Sequence, residues 1–281
     1  MRIVFFGTPD LAVIALDELE QAGFLPTLIV TQPDRPVGRK QEVTAPLVKI
    51  WAHEHDIEVL QTESLKEGEV RDILLNSEWD LFIVAAYGLI LPNELVQKPL
   101  LGSVNVHPSL LPKYRGPTPV QAQILADDRF CGVTVMQMDD KMDHGPILTQ
   151  ASITFEESEW PISSKILYDL LWHEGGKLLA ETIPLLKKKE LTPTQQDHDQ
   201  ATYSSMLKKE DGEIDLSGDA YQNYLKYCAY GTWPGTFFFT EKDGKRIRVK
   251  IVEAEYEHNT FTPLRVIPEG KKEMAYQTFL Q

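Results

Sequence analysis

Residues 103–107 read Ser-Val-Asn-Val-His. Successive strand side chains point to opposite faces, so Asn105 and His107 share one face and Val104 and Val106 the other. Two polar groups aligned on one face of a short apolar strand need partners or a chemical role. An Asn amide donates two hydrogen bonds and could hold an oxyanion. An imidazole could move a proton near neutral pH. The acidic loop Met-Asp-Asp-Lys-Met-Asp-His-Gly-Pro-Ile at 138–147 offers a third component, because a carboxylate beside the imidazole would orient it. Spacing does not choose among Asp139, Asp140 and Asp143, each of which also serves as an ordinary turn or cap residue. Asn105 and His107 equally well form a hydrogen-bonded structural pair.

Several other chemistries lack their residues. Phe-Phe-Gly-Thr-Pro-Asp at 5–10 has no G-x-G-x-x-G, and no G-x-x-x-x-G-K-[ST] occurs. The seven His show no metal-ligand spacing: His53 and His55 are two apart on a predicted helix, and His-Glu-Gly-Gly-Lys at 173–177 lacks the second His of H-E-x-x-H. No metal is expected. G-x-S-x-G is also missing.

The elements that position the polar strand follow from apolar spacing. RIVFF, TLIVT, LFIVAAY, SVNVH and GVTVMQM read as strands, with LAVIALDELEQAG and APLVKIWAHEHD between them as helices. Such alternation predicts a Rossmann-like α/β domain with a mostly parallel sheet, whose binding crevice lies beyond the carboxyl ends of the strands. His107 sits at that end of its strand. The loop 138–147 follows GVTVMQM and is expected at the same edge. Residues 161–190 predict a pair of helices broken at Gly175 and Gly176, ending in Lys187–Lys189, a run that suits a helix C-terminus. The polar segment 191–204 reads as a linker. A Lys-Asp-Gly-Lys turn between two apolar runs signals a hairpin in a small β-rich C-terminal domain. The expected division is therefore a catalytic domain at 1–190, a linker at 191–204 and a short C-terminal domain at 205–281.

Composition bounds the partners. The chain has 281 residues, 42% hydrophobic and 25% charged, in the range of a globular protein. No run of about 18 apolar residues occurs, so no membrane span is expected. Two cysteines give no disulfide framework and suit the cytoplasm. A net charge of −14 disfavours general nucleic-acid or membrane binding, although local basic clusters remain, among them Arg35, Arg39 and Lys40.

The run N-V-H-P-S-L-L-P-K-Y-R-G-P-T-P, with FFGTPDLAV, TQPDRPVGRK, VAAYGLILP, GVTVMQMDDKMDHGPIL and WPGTFF in order, resembles the folate-dependent formyltransferases, and within them the branch that acts on methionyl-tRNA. The resemblance spans roughly residues 1–250. It implies transfer of a formyl group from 10-formyltetrahydrofolate to the α-amino group of initiator methionyl-tRNA, leaving tetrahydrofolate. It further implies that Asn105, His107 and Asp143 act together. The folate would lie against Ser109, Leu110, Leu111 and Pro112 and the backbone of Tyr87, Gly88, Leu89 and Ile90. The segment 31–49, read as a Pro- and Gly-rich loop, would offer Arg35, Arg39 and Lys40 to tRNA phosphates. The C-terminal domain would be OB-like but short. From residue 207 onward it carries 11 Lys and Arg against 12 Asp and Glu, a balance poor for RNA. A monomer is expected. The alternatives are a sugar-nucleotide N-formyltransferase using the same donor, then a glycinamide ribonucleotide formyltransferase, then a non-catalytic folate- or RNA-binding protein on the same fold.

Overall fold

Four-residue runs of Val, Ile, Leu and Phe, buried on both faces, are what a parallel sheet covered by helices requires. A computed structural model describes residues 1–281 apart from Arg39, Lys40 and Asp243. The chain runs β1 (Ile3–Phe6), α1 (Asp10–Gln21), β2 (Leu28–Thr31), β3 (Arg35–Val37), β4 (Glu42–Thr44), α2 (Leu47–Glu54), β5 (Glu58–Gln61), α3 (Glu69–Asn76), β6 (Leu81–Val84), α4 (Asn93–Val96), β7 (Ser103–His107), α5 (Pro119–Leu125), β8 (Phe130–Gln137), β9 (Ile147–Thr154) and α6 (Ser164–Lys188). It continues with α7 (Ala220–Tyr230), β10 (Phe237–Lys242), β11 (Lys245–Glu257), β12 (Thr260–Pro268), β13 (Met274–Ala275) and α8 (Tyr276–Leu280). Among the described residues, no helix is long and apolar enough to cross a membrane.

The main sheet has the order β5-β2-β1-β6-β7-β8-β9. The first five strands are parallel, and β7 pairs antiparallel with β8. Val84 pairs with Asn105, so Asn105 and His107 share the face that carries Val4, Phe6, Val30 and Val84 into one apolar cluster. Val106 lies on the opposite face under α6. A β-carbon on Gly175 would come within 2.8 Å of Val106 and 2.9 Å of Val133, and one on Gly176 within 2.7 Å of Glu18 in α1. The two glycines therefore admit the sheet and α1 to close approach. They do not break the helix, and the expected pair at 161–190 is one continuous helix.

Three further expectations are corrected. Segment 31–49 is not a plain loop: β3 and β4 form an antiparallel hairpin, with Arg35 opposite Thr44. Its base is held by Asp34, which bonds Lys49 at 2.9 Å and Gln61 at 2.7 Å; the Gln61 and Lys49 bonds hold the Asp34 carboxyl below the usual range. The loop 138–146 does not leave from the carboxyl end of β7. Because β8 runs against β7, with Gln137 opposite Val104, the loop starts at the amino end, where the Met138 amide donates to Ser103 at 2.8 Å. Finally, the segment 191–204, expected as a linker, is tied to the sheet near its start, where Ile147 and Thr194 exchange two backbone bonds of 2.8 Å.

The chain forms two compact units. One collects 1–115, 132–153 and 169–203, and the other 116–131, 154–168 and 204–281. The second is not a simple C-terminal block, because α5 packs on α7, and Asp127, just beyond α5, accepts from both Trp160 and Tyr221 at 2.8 Å. Its sheet runs β10-β11-β12-β13, all antiparallel. Ile214, Phe238, Val249, Ile251, Phe261, Val266 and Phe279 fill its core.

Candidate active site

Asn105 and His107 converge on one carboxylate. Asn105 Nδ2 donates to Asp143 Oδ1 at 3.4 Å, and His107 Nδ1 lies 3.6 Å from the same oxygen. His107 is 4% exposed. Its Nε2 is 3.0 Å from the Tyr114 carbonyl, which can only accept, so the neutral ring carries its proton on Nε2 and turns Nδ1 toward Asp143. The strand alternation thus presents a donor amide and a proton-accepting ring nitrogen side by side, and the loop supplies the charge.

Asp143 is the one of the three acids that reaches the strand; Asp139 is engaged by His144 Nδ1 at 2.6 Å and by the Lys141 amide at 2.9 Å. Asp143 adopts φ +50, a left-handed conformation that Asp tolerates at a cost of about 1 kcal/mol. The loop is held in that shape at several points. The Gln137 amide donates to the Pro146 carbonyl at 2.8 Å. A β-carbon on Gly145 would collide with the Gln137 carbonyl. The Gln196 amide donates to the carbonyls of Asp143 (3.0 Å) and Gly145 (2.7 Å).

The segment after β7 is equally fixed. Ser109 Oγ donates to the Lys113 carbonyl at 2.6 Å, and the Ser109 carbonyl accepts from Thr134 Oγ1 at 2.7 Å. Gln150 Nε2 donates to both Thr134 Oγ1 (2.9 Å) and the Leu111 carbonyl (3.0 Å). Ser109 and Leu111 are buried, so their side chains shape the turn, while Leu110 and Pro112 are half-buried. In the segment after β6, Tyr87 is a core residue whose ring meets Phe6 edge-on at 5.5 Å. Its carbonyl accepts from Thr8 and Gln32. Leu89 is half-buried, Gly88 is exposed and Ile90 is 78% exposed. Since β6 and β7 are parallel neighbours, these two segments leave the sheet from the same edge. A flat heterocycle suits that edge: apolar Leu89, Ile90 and Leu110 with main-chain groups between them.

Arg115, 2% exposed, reaches Gln196 Oε1 through Nε (3.1 Å) and Nη2 (2.6 Å), and His198 Nδ1 at 2.9 Å. Partial desolvation, His144 and Arg115 hold the His198 imidazole below its ordinary range, and the Arg115 guanidinium, which can only donate, makes Nδ1 the acceptor of their contact. His144 stacks on His198 at 4.0 Å. Burial pushes the Cys131 and Cys228 thiols up to about 12, so neither is a nucleophile at neutral pH. Among the described residues no His, Cys, Asp or Glu group could hold a metal ion.

Of the cations expected to meet RNA, Arg35 is exposed on β3, and Arg39 and Lys40 lie outside the described residues. The C-terminal unit adds a surface that counting charges conceals. Ile247, Val249 and Ile251 of β11 face inward or are half-buried, leaving Arg246, Arg248 and Lys250 outward. Arg246 lies 3.9 Å from the Phe239 ring and Arg248 3.7 Å from Phe237. A register shift between Ile251 and Ala254 resets the alternation, and the outward residues beyond it are Glu253, Glu255 and Glu257. One strand is basic in its first half and acidic in its second.

A family model described as Formyl transferase matches residues 1–183, and one described as Formyl transferase, C-terminal domain, matches 206–277. The methionyl-tRNA formyltransferase of Chloroflexus aggregans is 43% identical over 269 residues, covering 95% of this chain and 85% of that protein. That of Halalkalibacterium halodurans is 38% identical over 304 residues, covering 100% and 94%. Among solved structures, the N-formyltransferase from Helicobacter canadensis in complex with folinic acid and dTDP-3-aminofucose superposes with a TM-score of 0.67 at 16% identity, covering 98% of each chain. A 4-N formyltransferase from Francisella tularensis gives 0.65 at 18%, covering 88% of this chain and 96% of that one. At these identities the structural likeness is one of fold.

Proposed function

The chain belongs to the methionyl-tRNA formyltransferases of the formyl transferase family, and from that premise we propose that Asn105, His107 and Asp143 transfer the formyl group of 10-formyltetrahydrofolate to the α-amino group of initiator methionyl-tRNA. The observation that carries this reading is the meeting of Asn105 Nδ2 and His107 Nδ1 on one Asp143 oxygen.

The amine nitrogen bonds to the formyl carbon, the bond from that carbon to N10 breaks, and one proton passes from the amine to N10. The donor brings the activated carbonyl; the chain supplies charge placement and a proton path. As the carbonyl oxygen gains charge, Asn105 Nδ2 donates to it, a contribution of about 2.7–4 kcal/mol for a single such donor. His107 Nδ1 takes a proton from the amine nitrogen as that nitrogen turns cationic on bonding to the formyl carbon and passes it to the leaving N10, worth roughly 10²–10⁴ in rate. Asp143 stabilises the imidazolium between those two events and fixes its orientation. The donor's ring lies against Leu110, Leu89 and Ile90, with the main chain of 87–92 and 109–112 reading its edge. The unit of residues 1–115, 132–153 and 169–203 performs the transfer, and 205–281 hold the acceptor. Arg35 and the basic half of β11 meet RNA phosphates. The chain acts as a monomer.

The test is single-turnover transfer from 10-formyltetrahydrofolate, with charged initiator methionyl-tRNA and an amino-sugar nucleotide offered in parallel. Formylation of the methionyl-tRNA alone is the expected outcome. Transfer only to the amino sugar would overturn the acceptor assignment, and donor binding without transfer would overturn catalysis.

A further inference from the structure

The structure assigns Gln196 as a positioning residue for Asp143, one that locks the loop holding the carboxylate to the segment that holds His107. The inference rests on the catalytic reading of Asp143 given above.

Gln196 is 4% exposed, and its amide is used at all four hydrogen-bonding positions. Oε1 accepts from Arg115 Nε and Nη2, and Nε2 donates to the carbonyls of Asp143 and Gly145. Two donors and two acceptor lone pairs are the whole capacity of a primary amide. The two sides of this joint carry the two partners of the site. Arg115 follows Tyr114, whose carbonyl holds His107 Nε2 at 3.0 Å. Asp143 itself offers the carbonyl that Gln196 grips, at a residue in the left-handed conformation. The distance between His107 Nδ1 and Asp143 Oδ1 is therefore set through Gln196. A Gln is the residue type required here: Glu can only accept, so it could keep Arg115 but would turn a carboxylate oxygen on two carbonyls, while an apolar side chain would abandon both ends.

The experiment compares Gln196→Glu, Asp143→Asn and the double variant, with steady-state and single-turnover kinetics on methionyl-tRNA and 10-formyltetrahydrofolate, and thermal unfolding for each. Gln196→Glu keeps shape and the bonds from Arg115, so it should fold. Its kcat should fall roughly 10–100-fold, the range for a supporting residue or a misplacement near 1 Å, with KM for the folate donor unchanged. Because Gln196 acts through Asp143, the double variant should turn over no more slowly than Asp143→Asn alone. Gln196→Met, uncharged and of similar length, should give the same split and serves if the Glu variant does not fold. Wild-type kcat in a folded Gln196 variant, a loss confined to KM, or losses that multiply in the double variant would overturn the proposal. Wild-type kcat in Asp143→Asn would remove the catalytic role of Asp143 itself, and the Gln196 assignment with it.

Discussion

The face of β7 that carries Asn105 and His107 and the outward face of β11 solve opposite problems. On β7 the polar groups are few, buried or half-buried and partnered, Asn105 on Asp143 and His107 on the Tyr114 carbonyl, because a buried polar atom is costly unless paired. On β11 the charges are exposed, and Arg246 and Arg248 lean on Phe239 and Phe237. A buried set works as a unit, so each member is needed. An exposed set works by summation, so each member counts for a share. The two faces should consequently fail in different ways.

The largest failures belong to β7. His107→Ala should lower single-turnover formylation by roughly 10²–10⁴, and Asn105→Ala by roughly 10²–10³, while both proteins unfold near the wild-type temperature. Near-wild-type turnover in folded Asn105→Ala would end the oxyanion role and make β7 behave like an exposed face.

The intermediate effect belongs to β11. Replacing Arg246, Arg248 and Lys250 together by Ala should raise Kd for methionyl-tRNA and leave kcat at saturation unchanged. The slope of log Kd against log salt should become shallower by about 0.7–0.9 for each phosphate left without its cation. Glu253→Lys with Glu255→Lys should move both quantities the other way. A salt slope unaltered by the triple substitution would show that this face does not meet RNA.

How far the sequence carries the reader differs between the faces for the same physical reason. Strand alternation is local, so Asn105 and His107 could be placed side by side from residues 103–107 alone. Spacing could not single out Asp143, which only the family resemblance picked out, because its position depends on β8 running against β7 and on a glutamine far along the chain, at 196. Gln196 sits in a polar segment without apolar periodicity, which reads as a connector until the bonds it makes are seen. Gly175 and Gly176 look like a helix break, yet their missing side chains let α6 approach Val106 and α1. On β11 the sum of charges misleads: the register shift after Ile251 reverses which residues face outward, separating bases from acids that cancel in the count.

The smallest predicted effects make the comparison sharpest, since they match in stability and differ in function. Asp219 caps α7 in the C-terminal unit, its carboxylate accepting from the Gln222 amide at 2.9 Å; Asp219→Ala should cost about 1 kcal/mol. Gly175→Ala gains about 1 kcal/mol of helix propensity but pushes a methyl to within 2.8 Å of Val106 and 2.9 Å of Val133, overpacking that costs about 1–3 kcal/mol. The net loss is of order 1 kcal/mol in each, measurable by denaturant unfolding. Val106, however, lies between Asn105 and His107, so its displacement moves both groups against Asp143. Asp219→Ala should keep wild-type kcat, and Gly175→Ala should lose it severalfold at unchanged KM for the folate donor. Equal kcat in the two variants would mean that the catalytic face tolerates movement of its own strand, and that the site is less tightly geared to β7 than its distances imply.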